Sequence, residues 1–208
     1  TWARQLRLEG VVSSKGMVEL YDWQIDVGPR INSQADIWDT IEKDLRKNDV
    51  PAAAAKLRRG SEEFFRTVCN SLRAEVKFRD NGQYELGDLL PPALKTYKSY
   101  LKKAKKAARS WDDDEEYDRL VAIEKSTGQI FSRTNAENWA VNANVHYNKW
   151  TDFTLSDFQP VVESFMDLYS VFKCDRCDGL LHVNVNANNV EAVRCNCNSF
   201  NWNLKGNK

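Results

Sequence analysis

The chain has 208 residues, with 30 Lys and Arg against 30 Asp and Glu, so its formal net charge is zero at neutral pH. That balance excludes polyanion binding by overall charge and leaves only a local patch for it. No long uncharged apolar run is present, which excludes a membrane-spanning helix, while seven Trp, seven Tyr and nine Phe supply a buried core for one or two domains.

Val18 and Leu20, followed by Trp23, Ile25 and Val27, alternate across residues 17–27, which predicts a strand closed by a turn at Gly28-Pro29. Ser33 can cap a short helix whose apolar face is Ile37, Trp38, Ile41 and Leu45. Asp49 caps the next helix, Pro51 sits in its first turn, and Leu57, Phe64, Phe65, Val68, Leu72 and Val76 recur at helical spacing. Gly60 within it costs about 1 kcal/mol against alanine, which points to a close packing partner. Cys69 falls on the apolar side and reads as a buried, inert thiol.

Asp80-Asn81-Gly82 predicts a turn, residues 84–90 a connection, and Pro91-Pro92 the start of another helix. Leu94, Tyr97, Leu101, Ala104, Ala108 and Trp111 make its apolar seam, while Lys95, Lys98, Lys102, Lys105 and Arg109 form a parallel basic stripe. The stripe reads as a solvated face balanced by the acidic block 112–116, with phosphate-backbone binding as the alternative. The acidic block suits the N-terminal dipole of a following helix. A loop is expected over 126–134, then a helix carrying Trp139, Asn142 and His146 on one face. Ser156 and Gln159 form a capping box for the last helix, whose repeating residues are Leu155, Phe158, Val162, Phe165, Tyr169 and Phe172.

The chemistry concentrates at the end of the chain. Cys174-x-x-Cys177 and Cys195-x-Cys197 flank a stretch in which Leu181, Val183 and Val185 alternate with His182, Asn184 and Asn186. Two knuckles around a hairpin, turning at 186–189 and returning over 190–194, are the layout of a zinc ribbon with four structural thiolate ligands. Disulfides compete with this reading, but no secretory pattern is visible and a disulfide within Cys195-x-Cys197 would close a small strained ring. His182 in place of one thiolate is a variant. No Gly or Pro linker separates the last helix from Cys174, so the ribbon is expected to be docked.

Signals for catalysis are sparse. The phosphate-binding loop, the dinucleotide-binding turn and the His-Glu-x-x-His motif have no counterpart. His146 lacks an evident partner, and a helical ribonuclease of the HEPN kind would need Arg where Asn142 stands. The expected architecture is mainly α with a small β element, divided into a β-containing end of an ATPase-head-like region at 1–32, a helical domain at 33–172 and a zinc ribbon at 173–208.

The order of segments resembles the carboxy-terminal part of bacterial SMC-like ATPases of the ABC class, many of them encoded in anti-phage or DNA-maintenance loci. The resemblance is carried by residues 1–6, by 22–29 (Asp-Trp-Gln-Ile-Asp-Val-Gly-Pro), and by the alanine-rich 52–59 running on through Glu62, Glu63 and Phe64. The segment Asn144-Val-His-Tyr147, the helix from Ser156 and the terminal cysteine pairs continue it. It implies that the ATPase motifs precede Thr1, and that this chain is a cytoplasmic accessory region for assembly and recognition. Its partner would be the rest of the ATPase or another protein. The rival reading is a free-standing zinc-dependent nucleic-acid-binding module using the ribbon and the Lys95 to Arg109 stripe.

Overall fold

The computed structural model describes residues 19–24, 28–32, 37–145, 154–186 and 189–207, with side chains described in 37–135, 154–186 and 189–207. It is mainly helical, with a small three-stranded antiparallel sheet toward the C-terminus. Near the start, β1 (Glu19–Gln24) pairs antiparallel with β2 (Gly28–Asn32), with an irregularity between Leu20 and Asp22. Gly28-Pro29 therefore opens a second strand in place of the expected closing turn. Pro29 lies opposite Trp23; in a two-stranded ribbon both strands keep an open edge, so a residue without an N–H is tolerated.

Helix α1 (Ile37–Arg46) buries Ile41 and Leu45; Ser33, its expected cap, lies outside the described residues. Helix α2 (Val50–Leu72) starts where the Asp49 carboxylate accepts the Ala52 N–H at 3.0 Å, one of the donors a helix start leaves orphaned. It stops at Arg73, whose φ of 52° is left-handed, so Val76 lies beyond the helix. A Cβ placed on Gly60 would fall 1.7 Å from Ile37 Cδ1, which explains why glycine sits mid-helix.

Helix α3 (Leu86–Ser110) begins about a turn before the expected Pro91-Pro92 start. Leu86, Leu89 and Leu90 are all buried, and Glu85 and Asp88 cap one another's backbone amides, with the Glu85 N–H donating to Asp88 at 2.9 Å. Burial of three leucines and a complete cap outweigh the two N–H groups that the prolines forgo. The seam Leu94, Tyr97, Leu101, Ala104 and Ala108 is buried, whereas Trp111 is half exposed and donates from Nε1 to the Lys205 carbonyl at 2.9 Å.

Helix α4 (Asp114–Val145) runs straight through the residues expected to form a loop at 126–134. The hydroxyls that read as loop chemistry bond back into the helix instead. Ser126 and Thr127 donate to the Ile123 carbonyl, Ser132 to Gly128 and Thr134 to Ile130, while Phe131 is buried. Trp139 and Asn142 belong to this helix; His146 lies outside the described residues. Helix α5 (Leu155–Val171) is capped by Thr154 and Asp157 in place of the expected Ser156 and Gln159. Both the N–H and the hydroxyl of Thr154 reach the Asp157 carboxylate, at 3.0 and 2.7 Å, and the hydroxyl first, then the amide, hold that carboxyl below its ordinary pKa.

Helix α2 is the hub, packing on α1, α3, α4 and α5. Where it meets α5, Phe64 stacks on Tyr169 at 3.7 Å with ring planes 6° apart, and the Tyr169 hydroxyl hydrogen-bonds Ser61. The sheet has the order β3 (His182–Asn186), β4 (Asn189–Arg194), β5 (Asn201–Asn203). Trp202 of β5 is fully buried, its ring 5.1 Å from that of Tyr97, and Leu181, Val193 and Cys195 join the same core as the helices. No helix among the described residues is long and apolar enough to cross a membrane.

Candidate metal centre

Two turns of similar build aim the cysteines at one point. In the first, α5 gives way at Phe172 and an isolated bridge joins Lys173 to Leu180. The Cys174 N–H donates to Gly179 O at 3.0 Å, and the Asp178 N–H to Cys174 O at 2.8 Å. Asp178 takes the left-handed conformation at φ 53°, and a Cβ on Gly179 would lie 3.3 Å from Cys177 Sγ, so the smallest residue leaves room for that sulfur. In the second, the Cys195 N–H donates to Phe200 O and the Asn198 N–H to Cys195 O, both at 3.1 Å, with Asn198 left-handed at φ 57°. Aspartate and asparagine are the non-glycine residues that adopt this conformation most readily.

The four sulfurs of Cys174, Cys177, Cys195 and Cys197 all lie within 4.8 Å of one another, close enough to hold a metal ion. Cys174 and Cys197 are 3.8 Å apart and Cys195 and Cys197 3.3 Å. A tetrahedron with Zn–S bonds of about 2.3 Å has edges of about 3.8 Å, the separation of Cys174 and Cys197, while Cys195 and Cys197 stand somewhat closer. All five cysteines are free thiols, so the competing disulfide pairing is not formed. His182, on β3 opposite Arg194, is not part of the cluster.

Ser199 is a residue that the cysteine motif does not announce. Its hydroxyl lies 2.9 Å from Cys197 Sγ, 3.1 Å from Cys174 and 3.7 Å from Cys195, so its one O–H is within reach of three sulfurs, with Cys197 the nearest. The Phe200 N–H adds a bond to Cys195 Sγ at 3.3 Å. The Ser199 hydroxyl, then its amide, draw the Cys197 thiol below its ordinary pKa; at Cys195 burial pushes upward, and bonds from the Phe200 amide, Ser199 and Cys174 together bring the thiol below its ordinary value. Thiolates are the form that binds metal, and these bonds favour them. The only signal for Ser199 in the sequence is its position two residues after the last cysteine, and the sharp turn at Asn198 makes the contact.

Cys69 is buried far from this cluster in sequence, donates to Leu89 O at 3.2 Å, and is pushed up to about 11 by burial. The basic stripe of α3 is not uniformly open. Lys105 pairs with Glu124 at 2.5 Å, Lys98 lies 5.2 Å over the Phe131 ring, and Arg109 lies 4.2 Å over the Tyr117 ring and bonds its hydroxyl at 2.8 Å. Three of the five cations thus brace α3 against α4, while Lys95 and Lys102 face solvent. No family model, curated protein or solved structure matches the chain.

Proposed function

We propose that the four cysteines hold one structural zinc ion, and that the chain serves as the accessory helical and zinc-ribbon region of a cytoplasmic SMC-like ATPase, acting in assembly and recognition in DNA maintenance or anti-phage defence. The observation that carries the zinc assignment is the gathering of four thiol sulfurs within 4.8 Å of one another, with the Ser199 hydroxyl against Cys197 and the Phe200 N–H donating to Cys195. Four thiolates complete a zinc coordination shell and leave no position for an activated water, so the ion's part is to fix the fold.

The ion would cross-link the end of α5 to the turn before β5, and so hold Trp202 against Tyr97. That supports a rigid presenting surface and not a tethered finger. The ATPase part of the reading rests on the order of segments from residues 1–6 to the cysteine pairs. Metal analysis of native protein tests the first part: one zinc per chain is expected, and a soluble chain with both cysteine pairs oxidised and no metal would overturn it. Reading the codons upstream of Thr1 tests the second, with an in-frame phosphate-binding loop expected. Magnesium-dependent ATP hydrolysis by the isolated chain would contradict it.

A further inference from the structure

A second basic surface, distinct from the α3 stripe, runs along α2. Arg59 and Arg66, seven residues apart, lie on one side of the helix, and Arg73, the left-handed residue that ends it, lines the same cleft as Arg66, a backbone span of about 21 Å in all. All three are exposed, and none forms an ion pair among the described residues; Arg66 lies 6.0 Å over the Tyr84 ring. Two adjoining clefts follow this side, of about 430 and 350 Å³, and share Tyr84. The first is lined by Arg58, Arg59 and Arg79, the second by Arg66, Arg73 and Asn70. Arg58 and Arg79 are already held by Glu62 and Asp88, so they stiffen the walls, and the cleft-lining cations without an ion pair among the described residues are Arg59, Arg66 and Arg73. The loop that closes the clefts carries Phe78, 80% exposed and the most exposed large apolar side chain among the described residues.

We infer that the α2 arginine face, with Tyr84 and Phe78, binds single-stranded nucleic acid. A row of guanidinium groups about 21 Å long exceeds any lone phosphate and suits a backbone that presents phosphates in series. Tyr84 beside the row, and Phe78 exposed on the same loop, give unpaired bases a surface to stack on, which a duplex with its bases already stacked does not use. Glu75 and Asp80 flank the loop and Glu62 and Glu85 line the first cleft, so acids offset part of the arginine charge and binding to this face depends on salt.

Fluorescence anisotropy of the full zinc-loaded chain with a 20-nucleotide oligomer tests this, using single-stranded DNA, single-stranded RNA and duplex DNA at several salt concentrations. Single strands of one or both kinds should bind more tightly than duplex. Arg59→Gln with Arg66→Gln, both at exposed mid-helix positions, should weaken binding at least tenfold and flatten the salt slope by about 0.7 for each phosphate no longer neutralised. Phe78→Ala should weaken it about fivefold or more with the slope unchanged, because stacking releases no counterions. Lys95→Gln with Lys102→Gln on α3 should leave binding as it was. Equal affinity for wild type and the double arginine variant, no binding at low salt, or a preference for duplex would each overturn the inference; unchanged helical circular dichroism confirms that the variants remain folded.

Discussion

Ile37 occupies the space that a side chain at position 60 would fill: its Cδ1 lies 1.7 Å from where a Cβ on Gly60 would stand. The contact joins the first residue of α1 to the middle of α2. Gly60→Ala should therefore destabilise the fold by about 1–3 kcal/mol despite the better helix propensity of alanine, because a well-packed contact must open. Shortening the partner in the double variant Gly60→Ala with Ile37→Ala should recover part of that stability. Urea midpoints of the four proteins give the coupling, and strictly additive effects would show that the two residues do not touch.

Cys177→Ser should release the metal and loosen residues 173–204 while α1 to α4 persist. The measurement pairs zinc content with far-ultraviolet circular dichroism and amide exchange: zinc falls, helical signal holds, and protection disappears at β3, β4 and β5. Ser199→Ala removes a hydroxyl that lies within 3.7 Å of three sulfurs but no ligand. It should lower zinc affinity about tenfold to a hundredfold, read by competition with a chelator.

Cys69 should resist alkylation in the native protein at pH 8 and react fully in denaturant. Burial raises its pKa to about 11, so the thiolate population is small. The same shift has a stability consequence. The folded chain holds this proton more tightly than the unfolded one, so the contribution is complete below the ordinary thiol pKa near 9 and is lost as pH rises toward 11. Cys69→Ala should flatten the decline of stability across that window.

How much of this is legible in the chain itself differs by element. The cysteine knuckles are legible because ligand spacing is local: a few residues and two turns bring each pair together, and Asp178 and Asn198 supply the backbone for it. The start of α2 is legible for the same reason, through Asp49 and Pro51. Helix α4 reads as a loop across 126–134 because serine and threonine hydroxyls serve loops and helices alike, and only the burial of Phe131 and the back-bonding to carbonyls decide between them. Pro91-Pro92 marks a helix start by propensity, whereas tertiary burial of Leu86, Leu89 and Leu90 sets it earlier. Strand β5 escapes the pattern since three residues carry no periodicity, and the contact of Trp202 with Tyr97 has no local trace.

Trp202→Ala should cost about 3–5 kcal/mol, the usual loss for truncating a large buried aromatic ring. Trp202→Phe should be milder, since the indole N–H has no hydrogen-bond partner among the described residues and its removal breaks no bond. Thermal unfolding of the two zinc-loaded variants distinguishes them. Equal losses would mean that a smaller ring at this position recovers nothing and that the core requires the full indole.

The meeting of Trp202 with Tyr97 also governs when the molecule can form. Tyr97 sits in the middle of the chain and touches both Phe172 and Trp202, at 5.4 and 5.1 Å between ring centres. Contacts this distant along the sequence are slow to close, and during synthesis they wait for residue 202 to leave the ribosome. Until then Tyr97, Phe172 and their neighbours are uncovered. A chain cut short before residue 202 would keep that surface open, and would be a substrate for chaperones or proteases in place of a functional protein.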